Sequence, residues 1–350
     1  MAALTEREAA VYDRQIRLWG VEAQKRLQNS RVLICGFKGL GAEVAKNLSL
    51  AGFSISVLDA EQVQPVDLGA NFFLSSDDVG KNRAEAALPR LKELNPLVQM
   101  EALSLTIAQV TEAVVQRFNC VLITSNVPME EQIRINELCR KHGVNFFAGS
   151  TYGGVGVFFA DLGASYTCTV KQTHQEHVRE IEQSGSVETV EQALAEPKML
   201  TKTLAFPDLK TSNSTPWKDL MNRRFGTPSL YFGVQILYRF QKVVGRPADS
   251  TKDEDWKTLC YLATDMAVEQ GEADAGAFVS ERVLDMLWRT IGAELSPVCA
   301  VLGGIVGQEI VKVIARKGEP LWESKGGNWI FLDTMGQTDQ KGGAVVKSIP

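Results

Sequence analysis

Thr5 followed three residues later by Glu8 has the form of a capping box, and Val11, Tyr12, Ile16 and Leu18 then recur at roughly helical spacing. A helix is therefore expected to open the chain. Gly20 interrupts it, and Val21 to Leu27, rich in Glu, Gln and Lys, reads as a second short helix. Arg31-Val-Leu-Ile-Cys-Gly36 is short and almost wholly apolar, the form of a strand buried on both faces of a parallel sheet. From Ala42 to Ala51, Val44, Ala45, Leu48 and Ala51 share one helix face, and Gly52 supplies the stop. Ser54-Ile-Ser-Val-Leu58 alternates and Asp59 ends it. Strand, glycine turn, helix and strand make a βαβ unit. The same style continues with a helix over Arg83 to Leu94 closed by Asn95-Pro96, a strand at Cys120 to Thr124, a helix at Glu130 to His142 and a strand at Val144 to Ala148.

From about Gly163 the texture changes to polar helical segments broken by Pro, Gly and Ser, as in Thr211-Ser-Asn-Ser-Thr-Pro216 and Arg246-Pro-Ala-Asp-Ser250. The expected organisation is an α/β domain over residues 1–162, a mainly helical insertion over 163–274 and a return to the α/β domain over 275–350. The return brings a long apolar helix from Ser296 to Arg316, a strand at Trp329-Ile-Phe-Leu332 and a candidate strand at Ala344-Val-Val-Lys347. Gly303-x-x-x-Gly307 within that helix is a spacing used by paired membrane helices. Gln308, Glu309 and Lys312 argue instead for close packing on the sheet or on a partner subunit.

Composition narrows the partners. Thirty-seven basic against forty-two acidic side chains leave a net charge of −5, so no electrostatic footprint favours nucleic acid or an anionic membrane. Apolar stretches are broken by charge or Gly short of the roughly 18 residues a membrane span needs, and residues 1–20 hold no apolar signal segment. A soluble chain, neither membrane-spanning nor secreted, is expected. The six cysteines form no Cys-x-x-Cys pair, so neither a common zinc site nor a disulfide framework is indicated, and Cys299 reads as a small apolar filler. Three histidines, with His174 and His177 in a polar stretch, are too scattered for a standard metal site.

Two segments carry candidate chemistry. Gly36-Phe-Lys-Gly39-Leu-Gly41 lies between a strand and a helix, with Asp59 at the end of the next strand. In nucleotide folds such glycines admit phosphates to a helix N-terminus and the acidic residue accepts from a ribose hydroxyl. Lys38 stands where the fingerprint wants Gly, so the turn is that of a nucleotide fold that either has lost its ligand or contacts phosphate through the lysine. Tyr12-Asp-Arg-Gln-Ile-Arg-Leu-Trp-Gly20 is either an amphipathic helix with solvated arginines or a device that delivers Arg14 to a phosphate, for which a guanidinium is well shaped. Composition does not choose between them.

Those two segments, with Ala45-Lys-Asn-Leu48, Val79-Gly-Lys-Asn-Arg-Ala84, Ser296-Pro-Val-Cys-Ala-Val-Leu-Gly-Gly304 and Gln308-Glu-Ile-Val-Lys312, resemble the adenylating domain shared by the activating (E1) enzymes of ubiquitin-like proteins and bacterial MoeB and ThiF. The resemblance covers about half the chain and flanks the insertion. Within the family it is nearest the smaller subunits of heterodimeric E1 enzymes for SUMO, with the longer regulatory subunits for NEDD8 as the alternative. It implies a Rossmann-like α/β fold. Active members bind ATP and Mg²⁺ through a Gly-x-Gly-Gly-x-Gly loop, an Asn-x-Asn-Arg-Gln-Phe segment, a later Lys and a downstream Asp. This chain has Lys38 in the loop, Asp67-Leu-Gly-Ala-Asn71-Phe72 for the second segment, Arg83 for the Lys and Thr124-Ser-Asn126 near the Asp. The motif around a thioester cysteine is absent about Cys168.

What the resemblance implies is a pseudo-active half. Gly36, Gly39, Gly41 and Asp59 would line a vestigial, unoccupied cofactor pocket, with no metal and no cofactor in this chain. ATP and Mg²⁺ would sit in a larger catalytic partner, which also carries the thioester cysteine and passes SUMO to the E2. Arg14 would act in trans in the partner's ATP site, and whether the chain counts as an enzyme is left to the complex. Nuclear residence, with cytoplasm not excluded, follows from the resemblance alone. A reading from another class is a dinucleotide-dependent oxidoreductase, suggested by strand, glycine turn, helix and Asp59.

Overall fold

The computed structural model describes residues 5–171, 199–221, 228–320, 328–336 and 338. The chain opens with α1 (Glu6–Val11), α2 (Asp13–Trp19) and α3 (Val21–Gln28), and Thr5 and Glu8 form the expected capping box. The first helix breaks at Tyr12 as well as at Gly20. Tyr12 is fully buried and its hydroxyl accepts from Asn95 Nδ2 at 2.9 Å, which turns the chain inward there. Next come β1 (Arg31–Cys35), α4 (Gly39–Ala51), β2 (Ser54–Leu58), α5 (Arg83–Leu94), β3 (Met100–Leu103), α6 (Glu112–Val115), β4 (Cys120–Ile123), α7 (Met129–Lys141), β5 (Asn145–Tyr152) and β6 (Val155–Asp161). Later elements are β7 (Tyr166–Lys171), β8 (Met199–Leu204), α8 (Leu209–Asn213), α9 (Trp217–Met221), α10 (Ser229–Val244), α11 (Asp253–Glu269), α12 (Glu281–Arg289), α13 (Ser296–Ala315) and β9 (Trp329–Asp333).

One seven-stranded sheet runs β3-β2-β1-β4-β5-β6-β9. The first five strands are parallel, with Val32 opposite both Ile55 and Cys120, and β6 and β9 are antiparallel additions. The almost wholly apolar β1 is explained by burial on both faces. Val32 and Ile34 join the core under α4, α5 and α13, whereas Leu33 and Cys35 join the opposite core with α7 and the helices α10 to α12. The stretch expected as a mainly helical insertion thus supplies cover for one face of the sheet. It also holds β7 and β8, an antiparallel two-stranded ribbon. The candidate strand at 344–347, His174, His177 and the pair Arg223-Arg224 lie outside the described residues.

Contrary to the expectation of short apolar stretches, α13 is long and apolar enough by length and composition to cross a membrane. Its neighbours account for that composition. A Cβ added at Gly303 would stand 2.6 Å from Glu43 Cβ, and one at Gly307 would stand 2.9 Å from Asn47 Cβ. The glycine pair therefore lets α13 close onto α4 within this chain, while a Cβ on Gly304 would meet nothing.

Candidate functional site

The sheet order reverses between β1 and β4, one connection leading outward to β2 and the next to the other side. A crevice outside the C-terminal strand ends is the expected ligand site in such a sheet. A cleft of about 410 Å³ lies there, lined by Lys38, Asp59, Arg83, Thr124, Asn126 and Glu294 among others.

Its floor is the glycine turn, and each glycine has a steric reason before any ligand is considered. Gly36 has φ +95°, and a Cβ there would lie 2.6 Å from Ser125 Cβ. A Cβ on Gly41 would strike the Gly36 carbonyl, and one on Gly39 would lie 2.6 Å from Ala70 Cβ and 2.8 Å from Glu294 Oε2. Lys38, by contrast, has φ −80° and ψ −157°, extended backbone open to any residue, so the lysine replaces the fingerprint glycine without strain.

Arg83 is 2% exposed and is held by carboxylates on three sides. Its Nη1 donates to Asp59 Oδ2 at 2.7 Å and its Nε donates to Asp67 Oδ2 at 3.0 Å, while Glu61 Oε2 accepts from both terminal nitrogens at 3.1 Å. Burial works against the guanidinium charge, but Asp59, Asp67 and Glu61 more than offset it and leave Arg83 firmly protonated. Asp59 is equally occupied. Its Oδ2 also accepts from the Phe37 amide at 2.7 Å, and its Oδ1 accepts from the Glu61 amide at 3.0 Å. It lines the cleft while its carboxylate is engaged with the glycine turn and Arg83, so the residue on which the oxidoreductase alternative rested has a structural task here.

Asn71, noted in the sequence only as a departure from a motif, braces the same turn. Its Nδ2 donates to the Phe37 carbonyl at 2.7 Å and its Oδ1 accepts from the Phe73 amide at 3.0 Å. Thr124 Oγ1 donates to the Gly36 carbonyl at 2.7 Å, so the Thr-Ser-Asn segment closes the turn instead of presenting a carboxylate. Glu294 was not singled out from the sequence at all. Its Oε2 accepts from the Leu40 amide at 3.2 Å at the N-terminus of α4. Burial raises its carboxyl pKa, and the Leu40 and Gly39 amides and the Lys38 charge pull it back. Nothing local in the sequence marks it, since it lies 254 residues from its partner.

Arg14 is elsewhere. It lies on α2, exposed, without a hydrogen bond or ion pair among the described residues. Buried Tyr12 and Gln15, whose Nε2 donates to the Leu50 carbonyl at 3.0 Å, fix α2 to the C-terminal end of α4. The glycine turn is at the other end of that thirteen-residue helix, about 18 Å away at 1.5 Å per residue. Arg14 thus does not join Gly36, Gly39, Gly41 and Asp59 in one site.

ATP with Mg²⁺, which the resemblance brings with it, does not fit the residues of this cleft. The first amides of α4 already have a carboxylate, Arg83 is neutralised internally, and residues 124–126 offer no carboxylate to a metal. Among the described residues no cluster of three or more His, Cys, Asp or Glu could hold a metal ion. Two cysteines are equally quiet: Cys168 is buried in β7, and burial, reinforced by Glu294, pushes the Cys299 thiol up to about 12.

This is a nucleotide fold whose switch-point crevice has its charged groups paired within the chain, and the chain belongs to the ThiF family, whose sequence model matches residues 12–338. Its relatives narrow the branch to SUMO-activating enzyme subunit 1. It is 38% identical over 340 residues to that protein of Xenopus laevis, covering 95% of this chain and 94% of the relative, and 35% identical over 353 residues to that of Homo sapiens, covering 99% and 96%. A crystal structure of E. coli MccB with succinimide has the same fold at a TM-score of 0.51 and 14% identity, covering 97% of this chain and 72% of the other.

Proposed function

We propose that this chain is the regulatory subunit of a heterodimeric SUMO-activating enzyme. A larger catalytic partner binds ATP and Mg²⁺, adenylates the SUMO C-terminus, holds SUMO as a thioester and passes it to the E2. This chain supplies the pseudo-symmetric half of the adenylation dimer and sends Arg14 into the partner's ATP site. Residues 1–162 and 275–350 form the adenylation half, and 163–274 the insertion. Residence in the nucleus accompanies that role.

The observation that carries the reading is the placement of Arg14. An exposed guanidinium without a partner among the described residues, on a helix anchored by buried Tyr12 and about 18 Å along α4 from its own cleft, supports a role on a phosphate of another chain. Deleting one preorganised donor to a developing charge costs roughly 10²-fold to 10³-fold in rate. In the reconstituted heterodimer, Arg14→Ala should lower single-turnover SUMO-adenylate formation by that factor, with assembly unchanged on gel filtration. Arg14→Lys should recover only part, because an ammonium lacks the bidentate fork. Wild-type rates in the alanine variant would remove Arg14 from the chemistry, and pyrophosphate exchange by this chain alone would overturn the division of labour.

A further inference from the structure

The N-terminus of α4 is the place where a nucleotide fold binds phosphate, because unpaired amides and the positive end of the helix dipole point there together. In this chain the place is filled. Glu294 Oε2 lies 3.2 Å from the Leu40 amide it accepts from, and the neighbouring Gly39 amide also favours its charged form. We propose that Glu294 is a built-in anion that takes the phosphate position of the degenerate cleft and keeps polyphosphates, ATP included, from binding this chain.

Three elements hold the carboxylate there. Gly153, at the turn between β5 and β6, donates its amide to the Ala293 carbonyl at 3.0 Å and bridges to Glu294. A Cβ on Gly153 would stand 2.9 Å from Thr290, so the segment before Glu294 is packed against that turn. Two residues after Glu294, α13 begins and runs along α4 with the close contacts of Gly303 and Gly307. Glu294 is therefore fixed between the hairpin turn on one side and the paired helices on the other. Gly39 completes the fit, since a Cβ there would come within 2.8 Å of Glu294 Oε2.

The charges around the cleft act in the same direction. The charge of Lys38 favours the ionised form of Glu294. Arg83, the other cation lining the cleft, is matched by Asp59, Asp67 and Glu61. With Glu294 added, carboxylates outnumber cations in this group, and a polyphosphate would have to displace one anion and face three more. The internal anion is a single side chain and can be removed by one substitution.

The inference rests on the proposed confinement of ATP to the partner, so its test separates the two. The full chain is titrated with inorganic pyrophosphate and with ATP by calorimetry, as wild type, Glu294→Ala and Glu294→Gln. Glu294→Gln keeps the shape and the hydrogen-bond acceptor, and decides the matter if the alanine variant fails to fold. Both variants should bind pyrophosphate at least about tenfold more tightly than wild type, the scale of one charge at a helix end. The Gly39 and Leu40 amide resonances of the glutamine variant should shift on addition of pyrophosphate, which locates the binding. Folded variants as weak as wild type would overturn the internal-anion role and leave the confinement of ATP standing. Wild-type chain that binds ATP as tightly as the variants would overturn both.

Discussion

Arg83→Met tests the electrostatic organisation of the cleft most directly. The substitution keeps much of the aliphatic stem and deletes the fork that joins Asp59 and Asp67, whose side chains are 4% and 2% exposed. Glu61 is 71% exposed and returns to water at little cost. Removing one member of a buried ion pair costs about 3–5 kcal/mol, because the abandoned charges remain desolvated. Here the remaining donors moderate the loss: Asp59 keeps the Phe37 and Glu61 amides, and Asp67 keeps the Gln64 amide at 2.8 Å. A destabilisation near the lower end, about 3 kcal/mol, is expected in chemical denaturation of the full chain near neutral pH. Adding Asp59→Asn and Asp67→Asn should recover part of the loss, since the uncompensated charges go with them. A variant within about 0.5 kcal/mol of wild type, or a double Asn substitution that recovers nothing, would refute the argument.

Gly303→Ala should cost about 1–3 kcal/mol by overpacking against Glu43, whereas Gly304→Ala, with open space around it, should be neutral or stabilise by up to about 1 kcal/mol; equal effects in denaturation would contradict the cis packing of α13 on α4. In timed alkylation at about pH 8 read by mass spectrometry, Cys260, the one partly exposed thiol among the six, should react first, while Cys35, Cys120 and Cys299, each pushed up to about 12 chiefly by burial, should be protected until unfolding. Arg90, with Lys81 and the Ser75 amide and hydroxyl, holds the Asp78 carboxyl well below its ordinary value. That stabilisation is complete above an unfolded pKa of about 3.9 and is lost as pH falls through the lowered one, so Asp78→Asn should flatten the acid limb of the stability profile.

Much of the fold was legible because parallel strands and amphipathic helices write distinct periods. β1, β2, β4, α5 and α7 fall within a residue or two of where the hydrophobic pattern puts them. β3 and β6 did not stand out. Met100–Leu103 is short and has only its first residue buried, so its pattern is that of a loop. Val155–Asp161 is buried along its whole length and is all but continuous with β5, so no polar break announced the hairpin; the turn rests on Gly153 at φ +55°. The break at Tyr12 was invisible for another reason. It depends on Asn95, 83 residues away, and local periodicity carries no such information.

The cleft was legible by its gaps and illegible by its fillings. Lys38, Arg83 and Thr124-Ser-Asn126 could be seen to depart from a nucleotide-binding pattern, because each departure is local. That Arg83 would be spent on Asp59, 24 residues back, and that Glu294 would reach the amide of Leu40 are facts of topology: parallel strands bring Asp59 to the crevice, and the α4–α13 contact brings Glu294. The same topology explains why the glycines are required even without a ligand. Gly36 is held by Ser125, Gly41 by the Gly36 carbonyl and Gly39 by Ala70 and Glu294, so a Cβ at any of them would break the turn whether or not a phosphate ever arrives. A glycine fingerprint in this fold therefore reports how a strand meets a helix. What the meeting point holds is decided by whichever anion the rest of the chain, or the solvent, brings to the first amides of α4, and here the chain brings its own.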